Sequence, residues 1–208
     1  MWFKNNAALV FWILHTVGLA GYHFLPNLFL SITPIHLLII TILLLWEGVK
    51  EWNVKLITAL FLLWAIGFTA EVIGVKTGLI FGEYSYGSVL GLRWMSVPLT
   101  IGINWMSLVF CAYSILNIEK IPVLVRSILA GLLIVVFDYF LEPVAIRYDW
   151  WCWENDFIPL QNYFAWFLLV FLMTLGLSAV KVPPISKFLA TNFIVAQFIF
   201  FILLEYIN

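Results

Sequence analysis

Hydrophobic residues occur along this chain in seven long runs, separated by short polar stretches. A helix that crosses a lipid bilayer needs about 20 mostly apolar residues. The runs are continuous and do not alternate with a period of two, which favours helices over the strands of a β-barrel. The pattern therefore predicts an all-α, polytopic membrane bundle of about seven transmembrane helices. The predicted spans are about Ala7–Leu25, Ile32–Trp46, Val54–Ile73, Ser96–Leu116, Pro122–Ile146, Leu160–Val180 and Ile185–Tyr206.

The first run resembles a signal peptide in one respect, because Lys4 precedes an apolar stretch that ends in small residues. A second apolar run follows after only a short link that contains Pro26 and Pro34. We therefore expect a retained helix and not a cleaved leader. The spans and their short turns use nearly the whole length, which predicts a single transmembrane domain over residues 1–208.

The composition agrees with a membrane location. Hydrophobic residues make up 64% of the chain and charged residues 10%, and the mean hydropathy is +1.07. Soluble domains are about 25% charged, so this chain has too few polar groups to cover a surface that faces water. A formal net charge of −1 leaves no basic face for nucleic acid. The lipid bilayer is thus the first partner that the sequence predicts.

Lysine and arginine are distributed unequally between the two ends of the predicted spans. Seven lie on the side of the N-terminus and three on the other side. Because positive residues accumulate on the cytoplasmic side, this asymmetry predicts a cytoplasmic N-terminus in the inner (plasma) membrane of the cell. The first group is Lys4, Lys50, Lys55, Lys120, Arg126, Lys181 and Lys187, and the second is Lys76, Arg93 and Arg147.

Cysteine and histidine give no indication of a metal site or a disulfide. Cys111 lies deep in the fourth span, whereas Cys152 lies in a loop on the outer side, so a disulfide between them is not expected. His15, His23 and His36 occupy the first two spans or their ends. We favour ordinary hydrogen-bonded helix histidines over metal ligands, and no metal site is predicted.

Two polar segments, at residues 71–97 and 138–162, interrupt the hydrophobic pattern. Each follows an inside-to-outside helix and returns through an outside-to-inside helix, so both are predicted at the outer face. The motif Pro-Leu-x5-Trp opens a helix at the end of each segment, at residues 98–105 and 159–166. A duplicated helical hairpin explains this similarity, and so does chance combined with the chemistry of membrane entry.

Three carboxyl groups are the candidate catalytic residues, because carboxylates at membrane depth are unfavourable unless they are protonated, paired or exposed to a wet cavity. Glu71 lies in the last turn of the third span, and Asp138 and Glu142 lie four residues apart in the fifth. Headgroup-level solvation is an equal alternative for Glu142. Asp138 is flanked by apolar residues, which favours an interior-facing acid in its neutral form.

Small and aromatic residues accumulate on the same side. Gly74, Gly78 and Gly82 recur at four-residue spacing, which favours close helix packing. Asn104 and Asn162 could orient water or donate a hydrogen bond to an acid. An aromatic belt accounts for some of the rings, and the others could line an apolar pocket whose π faces attract positive charge. These rings belong to Tyr84, Tyr86, Trp94, Trp105, Trp150, Trp151, Trp153, Tyr163 and Trp166.

The two polar segments resemble the signatures of the carotenoid-biosynthesis membrane proteins, a family that includes carotenoid 1,2-hydratases of the bisanhydrobacterioruberin hydratase type. The resemblance covers about residues 65–170. The first signature is Glu71-x2-Gly74-x3-Gly78-x3-Gly82-x-Tyr84-x-Tyr86, followed by Val97-Pro98-Leu99 and Trp105. The second is Asp138-x3-Glu142-Pro143, Trp151-x-Trp153, Ile158-Pro159-Leu160-x-Asn162 and Trp166.

This resemblance implies cofactor-free addition of water to the terminal C1=C2 double bond of an acyclic carotenoid end, as in lycopene or γ-carotene. A hydrophobic carotenoid is then the substrate, and association with other carotenoid enzymes is left open. From the chemistry of alkene hydration, we expect Asp138 to donate the proton and Glu71 or Glu142 to activate the water. Tyr84, Tyr86, Asn104 and Asn162 are expected to fix the water and the acids, and Trp105, Trp153 and Trp166 to line the cation site.

Two other functions fit the same sequence. A carotenoid end-group cyclase would protonate the same chain end but let an internal alkene capture the cation. A non-enzymatic carotenoid-binding or transport protein would use the acids as a proton relay.

Overall fold

The computed structural model describes residues 2–154 and 157–207, except for the side chains of residues 2–5 and 207. Within these residues it has seven helices, each long and apolar enough to cross a membrane. The predicted all-α polytopic membrane bundle is therefore confirmed. The single-domain assignment and the cytoplasmic N-terminus stay predictions. The helices are α1 (Trp2–Phe24), α2 (Pro26–Gly48), α3 (Val54–Thr77), α4 (Leu99–Leu116), α5 (Val123–Arg147), α6 (Leu160–Ala179) and α7 (Lys187–Ile207).

The second helix starts earlier than predicted. It begins at Pro26 and continues through Pro34, so only Leu25 separates it from α1. The predicted start at Ile32 was wrong, because both prolines were interpreted as part of a link. Proline at the first position of a helix loses no hydrogen bond, and membrane helices tolerate internal proline where neighbouring groups satisfy the freed carbonyl.

Helix α4 lies at the centre of the bundle. It contacts α2, α3, α5, α6 and α7, and the side chains of residues 108–112 are wholly buried. Its first turn lies directly under the polar segments, so side chains at this end of α4 reach the candidate site.

Four short strands lie between the helices at one end of the bundle. They are β1 (Tyr84–Tyr86), β2 (Arg93–Trp94), β3 (Val97–Pro98) and β4 (Trp151–Trp153). β1 pairs with β4, and β2 pairs with β3, both antiparallel. Segments of two or three residues are too short to show an alternating pattern, so the sequence did not predict them. The β2–β3 pair also explains why α4 begins at Leu99 and not at the predicted Ser96.

The β1–β4 pairing joins the two polar segments, as expected from the order of the spans. Ser85 pairs with Cys152, 67 positions later, and Glu71 and Asp138 have the same separation. The indole rings of Trp105 and Trp166 stack with centroids 3.8 Å apart and planes 13° apart. The hairpins α3–β1–α4 and α5–β4–α6 thus each contribute one strand to the pair and one ring to the stack, which fits a duplicated hairpin.

The glycines near the end of α3 do not form a helix-packing stripe, so that expectation was wrong. α3 ends at Thr77, and Gly78 caps it with a φ of 66°, a left-handed conformation that glycine adopts without strain. Gly82 lies in the turn that follows. Only Gly74 is helical, and a Cβ there would lie 2.6 Å from the ring of Phe81, so it allows the following turn to fold back onto the helix.

Helices α3 and α4 approach closely at Gly67, where a Cβ would lie 2.4 Å from the Cβ of Trp105. We expect Gly67→Ala to lower the free energy of unfolding by about 1–3 kcal/mol, because overpacking forces the helices apart. The thermal unfolding midpoint in detergent measures this effect. Gly176→Ala in α6 is the matched control, because its Cβ would meet no atom within 4 Å. Equal midpoints for the two variants would contradict the expectation.

Candidate active site

The three candidate carboxyl groups are buried where the two hairpins meet. The side chains of Glu71, Asp138 and Glu142 are 3%, 0% and 1% exposed. Solvation of Glu142 at headgroup level, the alternative left open by the sequence, is therefore wrong. Within the described residues, each acid must be satisfied by protein groups that surround it.

Glu71 receives three hydrogen bonds. Its Oε2 accepts from the hydroxyls of Tyr84 and Tyr86, the latter at 2.6 Å, and its Oε1 accepts from Nε1 of Trp105 at 2.8 Å. Alternate residues of a strand project to the same face, which is why both tyrosines of β1 reach one carboxyl group. The third donor comes from the second turn of α4.

Glu142 has an arrangement like that of Glu71. Its Oε2 accepts from Nε1 of Trp151 at 3.0 Å and of Trp153 at 2.8 Å. Its Oε1 accepts from Nδ2 of Asn162 at 3.2 Å. The tryptophans are alternate residues of β4 and occupy the places that the two tyrosines of β1 occupy around Glu71. Each glutamate thus has two donors from a strand and one from the helix that follows.

Asp138 lies one helical turn from Glu142 and accepts fewer hydrogen bonds. Its Oδ2 accepts from Nδ2 of Asn162 at 2.9 Å, the same nitrogen that donates to Glu142. Its Oδ1 is buried and has no hydrogen-bond partner among the described groups. An ionised carboxyl group with a bare buried oxygen is unfavourable, so this environment suits the neutral acid.

A cavity of about 20 Å³ lies between Glu71 and Glu142. This volume accommodates about one water molecule. It is lined by every residue that the sequence predicted for the site except Asp138, which lies behind Glu142. The lining residues are Glu71, Phe81, Tyr84, Tyr86, Ile101, Asn104, Trp105, Glu142, Trp151, Trp153, Asn162 and Trp166.

Trp151 is the important site residue that was not assigned a role from sequence. Its spacing of two from Trp153 matches that of Tyr84 and Tyr86. In a strand, this spacing places both rings on one face. The spacing could therefore have identified Trp151 if a strand had been considered at this position. Phe81 and Ile101 are apolar lining residues without any comparable signal.

The tyrosines of β1 are neutral donors. Burial raises the pKa of the Tyr84 and Tyr86 hydroxyls well above the usual value, and the neighbouring Glu71 carboxylate raises the pKa of each hydroxyl further. Both hydroxyls therefore keep their protons throughout the physiological pH range and hold Glu71 in place.

The ionisable side chains that line the cavity are carboxylic acids and tyrosines. Its described lining includes no lysine or arginine, and the donors to both glutamates are uncharged. The stacked rings of Trp105 and Trp166 add π faces, which attract cations. The arrangement can hold a proton and stabilise a positive charge that develops beside it.

None of the histidines and cysteines lines this cavity. His15 donates from Nδ1 to the carbonyl of Phe11 at 2.7 Å and packs edge-to-face with His36. Cys111 is buried, Cys152 is exposed, and both are free thiols. In the part of the chain that the structure describes, no group of three or more His, Cys, Asp or Glu residues could hold a metal ion.

Together the fold and the site define a polytopic membrane protein with a buried acid cluster at one end of its bundle. The chain matches the model of the family described as "Carotenoid biosynthesis protein" over residues 32–207, and it belongs to this family. The resemblance noted from the two signatures is thereby confirmed. The match extends beyond the expected core of residues 65–170 and includes α7 and most of α2.

The chain is also similar to "Bisanhydrobacterioruberin hydratase" of Haloarcula japonica. The two sequences are 30% identical over 118 residues, which cover 53% of this chain and 40% of the relative. The chain therefore spans less than half of that relative's length. No solved structure matches the chain. Membership of the family and this distant relative support a role in carotenoid modification.

Proposed function

We propose that this protein is a cofactor-independent hydratase that adds water to the terminal C1=C2 double bond of an acyclic carotenoid end, such as that of lycopene or γ-carotene. One observation carries the proposal. A cavity sized for one water molecule lies between two carboxyl groups, beside a tryptophan stack, with no cationic side chain in its described lining. The family and the name of the relative support the same substrate class and reaction.

The reaction begins with protonation of the alkene at C2, which requires a neutral acid shielded from bulk water. Asp138 and Glu142 bind the same nitrogen of Asn162, at 2.9 and 3.2 Å. Two neighbouring carboxyl groups repel each other as anions, so a pair in which one of them is protonated is favoured. Glu142 lines the cavity and delivers this proton to C2.

Protonation leaves a tertiary cation at C1. The carboxylate of Glu71 and the faces of Trp105 and Trp166 stabilise this positive charge. Water adds to C1 through its oxygen and releases one proton to Glu71, giving the tertiary alcohol. Transfer of that proton back to the pair of Asp138 and Glu142 restores the starting state of the protein. The net reaction therefore converts the alkene and one water molecule into the tertiary alcohol.

This assignment modifies the role expected for Asp138 from sequence. Glu142 contacts the cavity and donates the proton, and Asp138 is the second carboxyl group of the pair that can hold it. Asn162 donates hydrogen bonds to both carboxyl groups and positions them. Glu71 retains the role of base. Tyr84 and Tyr86 position Glu71, and Trp151 and Trp153 position Glu142 in the same manner.

A carotenoid cyclase would use a similar acid and similar cation stabilisation. Cyclases must keep water away from the cation, whereas here the space beside Glu71 and Glu142 fits water and is lined by polar atoms of Asn104 and Asn162. This favours hydration over cyclisation. We also place the protein in the inner membrane of the cell with its N-terminus in the cytoplasm, because of the distribution of lysine and arginine.

Co-expression of the wild-type chain with a lycopene pathway in a bacterial host tests the proposed activity. We expect new pigments whose mass exceeds that of lycopene by one or two molecules of water, because each ψ end is a substrate. Liquid chromatography with mass spectrometry measures them. A pigment with a new retention time and the mass of lycopene would instead indicate a cyclase. Unchanged lycopene retained by the purified protein would indicate a binding protein.

A further inference from the structure

A second and larger cavity, of about 210 Å³, lies between α1, α2 and α7. We call it the entry cavity. Its walls are mainly apolar, with side chains such as Leu14, Phe29 and Phe200. At its outer edge Val17 and Ile32 are 51% and 36% exposed, on helices that face the lipid. The entry cavity is therefore accessible from the hydrocarbon interior of the membrane.

A series of shared lining residues links the entry cavity with the cavity beside the acid cluster. Four of its lining residues, Leu37, Trp150, Gln197 and Phe201, also line a narrower cavity of about 20 Å³. That narrower cavity in turn shares Ile101, Asn104 and Trp151 with the cavity between the two glutamates. The shared walls form a continuous series from the lipid face to Glu71 and Glu142.

We propose that this series is the channel through which the isoprenoid end of the substrate reaches the acids, with the entry cavity holding the hydrocarbon chain. The inference rests on the proposed function. The cavity beside the glutamates has about 20 Å³ and fits water, whereas the entry cavity has about 210 Å³. A carotenoid is dissolved in the bilayer, so it must enter sideways between helices and not from the aqueous phase.

The narrow part of the channel, of about 20 Å³, must widen to admit a branched chain end. Leu37 is half-buried and lies at the junction of the entry cavity with the narrower cavity. Movement of its flexible side chain opens the junction to a branched chain end. The first two helices, which the sequence described only by their hydropathy, thereby acquire a role in substrate binding.

A larger apolar groove of about 610 Å³ lies between α3 and α6, but it is a poorer route. It shares no lining residue with the cavity between the glutamates. It ends near Ile66 and Leu169, and beyond them Gly67 packs against Trp105, which stacks on Trp166. This groove supplies a control for the channel.

Blocking the junction tests the channel through activity. We expect Leu37→Trp to reduce the rate of lycopene hydration at least about tenfold, because misplacement of a reacting group by even 1 Å is costly to catalysis. Leu38→Trp, at the neighbouring position that is 38% exposed, should keep the wild-type rate. Equal thermal unfolding midpoints show that both variants fold. Normal hydration by a folded Leu37→Trp variant would overturn the channel and leave the proposed hydratase intact.

Photo-crosslinking tests the same channel without relying on catalysis. The full chain, with p-benzoylphenylalanine in place of Val17 as its only change, is irradiated in liposomes that contain lycopene. We expect a saturable lycopene adduct, detected by mass spectrometry, with a yield several-fold above that at Ile13 or Leu172. Ile13 is an equally exposed position of α1 outside the cavity, and Leu172 lines the α3–α6 groove.

The two experiments separate failure of the channel from failure of the proposed function. Equal crosslinking at Val17 and Ile13, or preferred crosslinking at Leu172, would overturn the channel whatever the activity. Preferred crosslinking at Val17 without any hydrated pigment would overturn the hydratase and leave a carotenoid-binding channel. Preferred crosslinking together with a slow Leu37→Trp variant supports both.

Discussion

Glu142→Gln is expected to reduce the hydration of lycopene by about 10²–10⁴-fold, the usual contribution of a general acid. The substitution removes the proton that the reaction delivers to C2 and leaves the size of the side chain unchanged. The indole nitrogens of Trp151 and Trp153 can still donate to a side-chain oxygen, because glutamine retains one. The amide nitrogen then faces Asn162, whose side chain can rotate to present its own oxygen.

The initial rate of hydrated pigment formation in isolated membranes measures this effect, and the thermal unfolding midpoint shows that the variant folds. Glu119→Gln is the matched control, since Glu119 is exposed in the connection between α4 and α5. A folded Glu142→Gln variant with nearly normal hydration would contradict the assignment of the acid. If Glu71→Gln lost activity and Glu142→Gln did not, Glu71 would be the acid.

Because the two hairpins surround their glutamates in a similar way, the differences between them are informative. Asn162 is the third residue after its proline, and the corresponding residue of the first hairpin is Ile101. Asp138 stands four positions before Glu142, and Gly67 stands four positions before Glu71. One half of the site therefore has two carboxyl groups that accept hydrogen bonds from the same amide of Asn162, and the other half has a single carboxyl group. Acid and base roles arise when two such groups have different environments.

Much of the fold could be predicted from the sequence, because membrane helices depend mainly on length and hydropathy. Seven runs gave seven helices, and the order of the spans correctly placed both polar segments at one face. The start of α2 at Pro26 was missed, since proline is compatible both with a link and with the first turn of a helix. Hydropathy alone does not distinguish these cases.

The sequence predicted which residues surround the cavity better than it predicted how they are arranged. Glu71, Glu142 and Asn162 were selected because polar groups are rare in this chain, and Tyr84 and Tyr86 because aromatic rings accumulate on the same side. The β1–β4 pairing was not predicted, because strands of three residues have no measurable period and depend on contacts between distant segments. For the same reason the sequence could not show that Asp138 lies behind Glu142, although the two share a helix face.

The second large effect is expected for Asp138→Asn, which should lower hydration by about 10²-fold because the acid pair loses its stored proton. Asparagine has nearly the same size as aspartate and carries no charge, so the buried position remains filled and the fold is retained. Its side-chain oxygen can still accept from Asn162. Asp149→Asn is the control, because Asp149 is exposed on the same side of the bundle.

A loss of activity alone does not separate a proton-storing role from a structural one, and the dependence of the rate on pH does. In the wild type the pair has two carboxyl groups that can hold the proton, whereas in Asp138→Asn it has one. The pH profile of hydration should therefore change in Asp138→Asn. A structural defect would lower the rate equally at every pH. Nearly wild-type hydration with an unchanged pH profile would exclude Asp138 from the reaction and leave Glu142 as the acid.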